Sequence, residues 1–230
     1  MADVDAFGQL VMRGGSVVPL LNTAQTEAAE EETKTDSNFV GSEQSAGTFA
    51  TQSLSSAVVL AGGITSENDT TYSFVRSAGK IKIALPVSGL NGGSGLPGRL
   101  PYAKQLVSGD QVITMANAAS DREVSLSVAC SNGEYHVFAV TPGGSGEHSL
   151  VSVLTGNSIG ETLQGRTVTH AFSMGGNNAG NFTSPIYILN GSGTPIASVT
   201  QNDPAVDSGT YEPCFARIAL NTRAVFRTDA

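Results

Sequence analysis

The sequence predicts an all-β fold, a sandwich or barrel behind an extended acidic N-terminal arm. Three observations carry that prediction. The first is VSLSVACSNGEYHVFAV, Val124 to Val140, in which two strand-like runs flank Asn132-Gly133. Asn and Gly both tolerate positive φ, so the dipeptide suits a type I′ hairpin turn. Val124, Leu126 and Val128 share one face of the first run and Ser125 and Ser127 the other. Tyr135 to Val140 is apolar on both faces, as expected of a strand between two layers. The second observation is the recurrence of short strand-like runs between Gly- and Asn-containing turns. The third is composition: 27 Gly, 9 Pro, no Trp and only 14% charged residues favour β structure with many turns.

Taken in order, Phe7 to Arg13 and Ser16 to Leu21 read as short extended pieces broken by Gly14-Gly15. Pro19 limits the second to an edge position, because it has no amide proton to donate. Residues 22–48 are rich in acid (Glu27, Glu30, Glu31, Glu32, Asp36, Glu43) and have little to bury. A short helix capped by Thr26 is one reading of 26–33. An arm that orders against a neighbouring subunit and a solvated linker are the others. Residues 1–48 are accordingly set apart from a single β domain over 49–230. Strands are expected near 54–60, 71–76, 80–85, 111–116, 124–130, 135–141, 149–155, 166–173, 184–189, 195–200, 214–220 and 223–227. Residues 86–103 form a long Gly- and Pro-rich connection, and 174–181 a polar loop. The first lacks the Gly-Lys-Ser/Thr ending and following helix of a phosphate-cradling loop, and both read as subunit contacts or plain surface loops.

At 230 residues the chain can bury a substantial core. Its net charge of −8 argues against broad nucleic-acid binding, which needs clustered Lys and Arg on phosphates. Arg217, Arg223 and Arg227 form the one candidate basic patch, or simply strand-end surface charge. Lysines are scarce (Lys34, Lys80, Lys82, Lys104), and scarcity of lysine with excess acid suits either concentrated salt or an ordinary acidic surface. No basic region followed by an apolar run marks a leader in MADVDAFGQLV. No stretch reaches the roughly 18 to 20 apolar residues of a membrane-spanning helix.

Chemical motifs are sparse. Cys130 and His136 could meet across the hairpin as nucleophile and base, although packing in a strand pair explains both. Ser94 and Ser145 lie among glycines but in no Gly-x-Ser-x-Gly elbow. His136, His148 and His170 have no metal-ligand spacing, and Asp203 and Asp207 do not match a calcium loop. Catalytic, metal and cofactor residues are therefore assigned to none. Cys130 and Cys214 read as buried small hydrophobes, with a disulfide as the other possibility. Asn68, Asn181 and Asn190 head N-x-S/T triplets, which matter only in a glycosylating compartment.

The acidic arm, about a dozen strands, the segment SGDQVITMANAA and the strand-rich C-terminal end together resemble a viral capsid jelly roll. More narrowly, the composition resembles the single-jelly-roll major capsid proteins of icosahedral, internal-membrane viruses of halophilic archaea. The resemblance spans residues 50–230. It implies upright β-barrels packed side by side over an internal membrane, in homo-oligomers and with a second coat protein, without catalytic residues. It also implies synthesis in the host cytoplasm, residence in the virion and no direct nucleic-acid contact. The competing expectation is a non-catalytic β-sandwich binding module, such as a capsid decoration, fibre or adhesin domain.

Overall fold

The computed structural model of the protein describes residues 3–4, 10–11, 17–18, 48–54, 57–60, 70–78, 80–86, 99–116, 124–174, 184–202 and 211–228. They build several β-sheets with almost no helix, as the all-β expectation requires. The acidic segment 22–47, the possible helix over 26–33 and the loop 174–181 lie outside the described residues, save for Met174, the end of a strand.

Near the N-terminus β1 (Asp3–Val4), β2 (Leu10–Val11) and β3 (Val17–Val18) pair in that order. A four-stranded antiparallel sheet follows, made of β4 (Thr48–Ser53), β6 (Thr70–Ser77), β7 (Lys80–Pro86) and β9 (Gln111–Ala116) in the order β4-β9-β6-β7. Beside it β5 (Val58–Leu60) pairs with β8 (Lys104–Leu106). Of the strand expected over 54–60, β5 occupies Val58–Leu60, whereas Leu54 continues the β4–β9 pairing, donating its amide to Asp110 O and accepting from Gly109 N. β4 and β8 lie outside the strands expected from sequence, β4 at the end of the arm (1–48) and β8 just after the connection 86–103. Their few apolar residues alternate too weakly to separate them from coil, and the partner strands supply their order.

The C-terminal half holds two further sheets. The central one contains β10 (Val124–Cys130), β11 (Tyr135–Val140), β13 (Val151–Ser152) and β14 (Thr167–Met174), ordered β13-β11-β10-β14. On the far edge of β14 lie β17 (Gln201–Asn202), parallel to it, and β18 (Glu212–Arg217), antiparallel. The outer sheet runs β12-β19-β15-β16, from β12 (Gly146–Ser149), β15 (Ile186–Leu189), β16 (Pro195–Val199) and β19 (Arg223–Thr228). A single helical turn, α1 (Ile159–Leu163), caps this pair of sheets.

Along β10, β11 and β14 the central sheet is covered on both faces. On one side Val124, Leu126, Val128, Cys130 and Phe138 pack with Ile186, Ile188, Val199, Ala224 and Phe226 of the outer sheet and with Ile159 and Leu163 of α1. On the other, Ala129, Tyr135, Phe172 and Met174 meet Val75, Ile83 and Leu85 of the first sheet. Val137 and Ala139 meet Phe74 and Ala84 there. Each large side chain so buried contributes about 1.5–3 kcal/mol. The expectation that β11 lies between two layers therefore holds, and it extends to β10, whose seven residues are all buried. Ser125 and Ser127, on the other face of β10, are buried beneath the β4-β9-β6-β7 sheet rather than exposed. Ser127 is tolerated there because its hydroxyl bonds that of Tyr211 at 2.5 Å.

The hairpin turn differs from the type I′ expectation. Only Gly133 has positive φ, at 81°, and Asn132 does not. Gly133 N donates to Cys130 O at 2.8 Å and Cys130 N to Glu134 O at 2.9 Å. This is the three-residue loop with a terminal left-handed glycine. Asn132 uses its side chain rather than its backbone, accepting from Glu134 N at 3.2 Å.

Candidate functional site

The hairpin that organises the fold also places the residues considered for chemistry. Cys130 closes β10 and His136 lies in β11 opposite Val128. Both are buried on the side facing the outer sheet. Burial pushes the Cys130 thiol up to about 12, the Glu134 carboxylate adds to the shift, and Arg166 opposes it. A nucleophilic cysteine needs the thiolate, so this environment works against that role. Cys214 is likewise raised by burial, to about 11. The two cysteines are free, and β14 lies between their strands. Strands two places apart are about 9–10 Å distant, beyond the roughly 7 Å that a disulfide spans.

What the hairpin does assemble is a buried ion cluster. Glu134, only 3% exposed at its side chain, takes Arg166 Nε on Oε2 at 2.8 Å. His136 Nε2 stands 3.2 Å from the same oxygen. Arg166 also donates through Nη1 to Thr162 O, at the end of α1. Its backbone carbonyl accepts from Ile218 N, and Ser131 N donates to Thr167 O. The cluster therefore ties the hairpin turn to α1, β14 and the segment after β18. Sequence reasoning missed it, because nothing in the spacing of Glu134 and Arg166 relates one to the other. Their meeting is a product of the β10–β14 pairing.

A second polar cluster stitches the first sheet's side to the centre. The Tyr135 hydroxyl accepts from Tyr102 N at 2.8 Å and donates to Tyr102 O at 2.7 Å. Tyr102's own hydroxyl meets Thr169 Oγ1 at 2.9 Å, and its ring stands edge-on to His170. Burial pushes the His170 imidazole below its ordinary value. His148 is a surface residue, with Nε2 against Gly144 O at 2.9 Å. The three histidines are held in separate places, and no group of His, Cys, Asp or Glu suited to a metal occurs among the described residues. No helix among them is long and apolar enough to cross a membrane.

The candidate basic patch divides. Arg217 belongs to β18 of the central sheet, whereas Arg223 and Arg227 lie on β19 of the outer sheet. Both of the latter are bound by Glu147, at 2.9 and 3.2 Å, and Arg227 also lies over the Tyr187 ring. Of the three glycosylation triplets, Asn68 and Asn181 lie outside the described residues. Asn190 lies in the turn between β15 and β16, where Oδ1 accepts from Ser192 N, Ser192 Oγ and Thr194 N.

Among the described residues the surface carries several large apolar side chains. Phe215 is 72% exposed, and Val59, Val107, Ile196 and Leu220 are exposed as well. Phe215 stands on β18, whose alternate residues Cys214 and Ala216 face the core. Its exposure was legible in the alternation of EPCFAR, where the aromatic falls out of phase with the buried set. Pro213 on the same strand lacks a ladder donor, so this edge is poorly suited to adding another strand. Comparison with known protein families, with curated proteins and with solved structures returns no match.

Proposed function

We propose that the protein is a structural virion component, a capsid subunit with a jelly-roll-like sandwich that packs side by side into an icosahedral shell. The observation that carries this reading is Phe215, a large apolar ring left mostly in water on the edge strand of the central sheet. An isolated exposed Leu or Val is ordinary, but a Phe projecting beside other exposed apolar groups marks a surface that gains from being covered. Ile196 belongs to β16, which lies against β18, and Leu220 follows β18 directly. One flank of the sandwich thus carries apolar side chains beside a strand edge blunted by Pro213. Such a flank favours side-chain contact between subunits over strand addition.

The net charge of −8 opposes association of identical copies at low salt. Salt screens that repulsion, with a Debye length near 3 Å at 1 M, and leaves apolar contact intact. The partners in this reading are further copies and a second coat protein, close to an internal membrane and without direct nucleic-acid contact. Light scattering from low to molar salt, with negative-stain imaging, tests it. Regular multimers that grow with salt are expected. A monomer at every salt concentration, also when co-expressed with a candidate second coat protein, overturns the reading.

A further inference from the structure

We propose that Asn190-Gly191 is a site of spontaneous deamidation, at which the folded chain converts its own asparagine to aspartate and isoaspartate through a cyclic imide. The inference rests on two turns of the same design. In each, a left-handed glycine closes the loop: Gly133 in one and Gly193 in the other, both with φ 81°. Cys130 N donates to Glu134 O in the first, and Asn190 N to Thr194 O in the second. Each contains an Asn-Gly pair, but in a different position.

In the first turn the nucleophile is withheld. Gly133 is buried, and its amide donates to Cys130 O at 2.8 Å. In the second, Gly191 is exposed and its amide makes no hydrogen bond among the described residues. Gly191 has no side chain to hinder attack, and what lies over it is the movable amide end of Asn221, 1.7 Å from where a Cβ would stand. The electrophile is prepared as well. Asn190 Oδ1 accepts from Ser192 N at 3.1 Å, Ser192 Oγ at 2.8 Å and Thr194 N at 2.9 Å. These three donors polarise the Cγ carbonyl and are placed to receive the negative charge that develops on it, as in an oxyanion hole.

The step balances with water alone. A solvent base removes the Gly191 amide proton, and the nitrogen forms a bond to Asn190 Cγ in an intramolecular attack. Charge gathers on Oδ1. Collapse breaks the Cγ–Nδ2 bond, and Nδ2 takes a proton and leaves as ammonia. Water then opens the imide at either carbonyl, giving aspartate or isoaspartate, with no redox change. An aspartate at 190 offers the same three donors a charged acceptor and keeps the turn. Isoaspartate lengthens the backbone by one methylene inside the loop closed by Asn190 N and Thr194 O, which loosens the β15–β16 edge.

The test is peptide mapping of the intact folded protein aged in mildly alkaline buffer made with ¹⁸O water, beside a sample aged in urea. In the folded protein Asn190 is expected to convert while Asn132 lags by at least roughly fivefold, the factor that one hydrogen bond represents. In urea the two sites should converge. Equal folded-state rates, or an Asn190 slower folded than unfolded, overturns the proposal. Ser192→Ala removes one donor from an exposed turn and should slow Asn190 several-fold at unchanged circular dichroism. An unchanged rate in that variant overturns the role given to the donors.

Discussion

Glu134 shows how one residue's environment decides whether it is an asset or a burden. Its carboxylate is almost wholly out of water, paired with Arg166, itself only 25% exposed, and with His136 on the same oxygen. Removing one member of such a pair strands the other, at a cost of 3–5 kcal/mol for fully buried partners. Arg166→Ala is therefore expected to lower stability by about 3 kcal/mol, read from urea unfolding. The double variant Glu134→Gln/Arg166→Ala should recover part of that loss, because no orphaned charge remains. The buried thiols and phenols act at the other end of the pH scale. Burial raises Cys130 from 9.0 to about 12 and Cys214 to about 11, and also raises Tyr135 and Tyr211 above their ordinary 10.0. These groups stay protonated in the folded protein after the unfolded chain has begun to release its protons. Their contribution is thus complete below pH 9 and falls as pH rises above it. Urea midpoints measured from pH 7 to 11 should be flat at first and then decline. A flat profile to pH 11 would contradict the burial of these four groups.

Among the elements, α1, like β4 and β8, is one that sequence periodicity could not supply, since five residues give no repeat to read. Its signature was nevertheless present. Ser158 and Glu161 form a reciprocal capping box, with Glu161 N donating to Ser158 Oγ at 3.2 Å and Ser158 N to Glu161 Oε2 at 2.8 Å. Gly160 then lets the turn lie against the segment between β18 and β19, donating to Thr222 O at 3.1 Å. A Cβ at that position would stand 2.2 Å from Leu220 O, a backbone atom that cannot swing aside. Gly160→Ala is expected to destabilise by roughly 1–3 kcal/mol, the range of overpacked sites. A thermal melt unchanged from the parent would show that the turn has room to shift. The hairpin turns teach a related lesson. Asn-Gly announces a turn reliably, but the loop length and the position of the left-handed glycine follow from the strand register, not from the dipeptide.

For the whole molecule, three stacked sheets cover β10, β11 and β14 on both faces, whereas the edge strand β18 turns Phe215 to water. If the flank bearing Phe215 is the contact between subunits, Phe215→Ser should reduce salt-dependent association while leaving the monomer folded, because the side chain touches little of its own core. Light scattering at molar salt is the measurement. Parent and variant scattering alike would remove Phe215 from the interface.

The all-β class, the strand pair around Asn132-Gly133 and most strands of the C-terminal half were written in local pattern. Alternation and turn residues are properties of neighbours in the chain, and they survive without a partner. The three-residue loop in place of a type I′ turn, the burial of Ser125 and Ser127, the order of β4 and β8, and the meeting of Glu134 with Arg166 were decided by tertiary structure. Each of these depends on which sheet covers which face, or on which strand lies beside another. Such contacts join positions far apart in sequence, where no periodicity can carry the information.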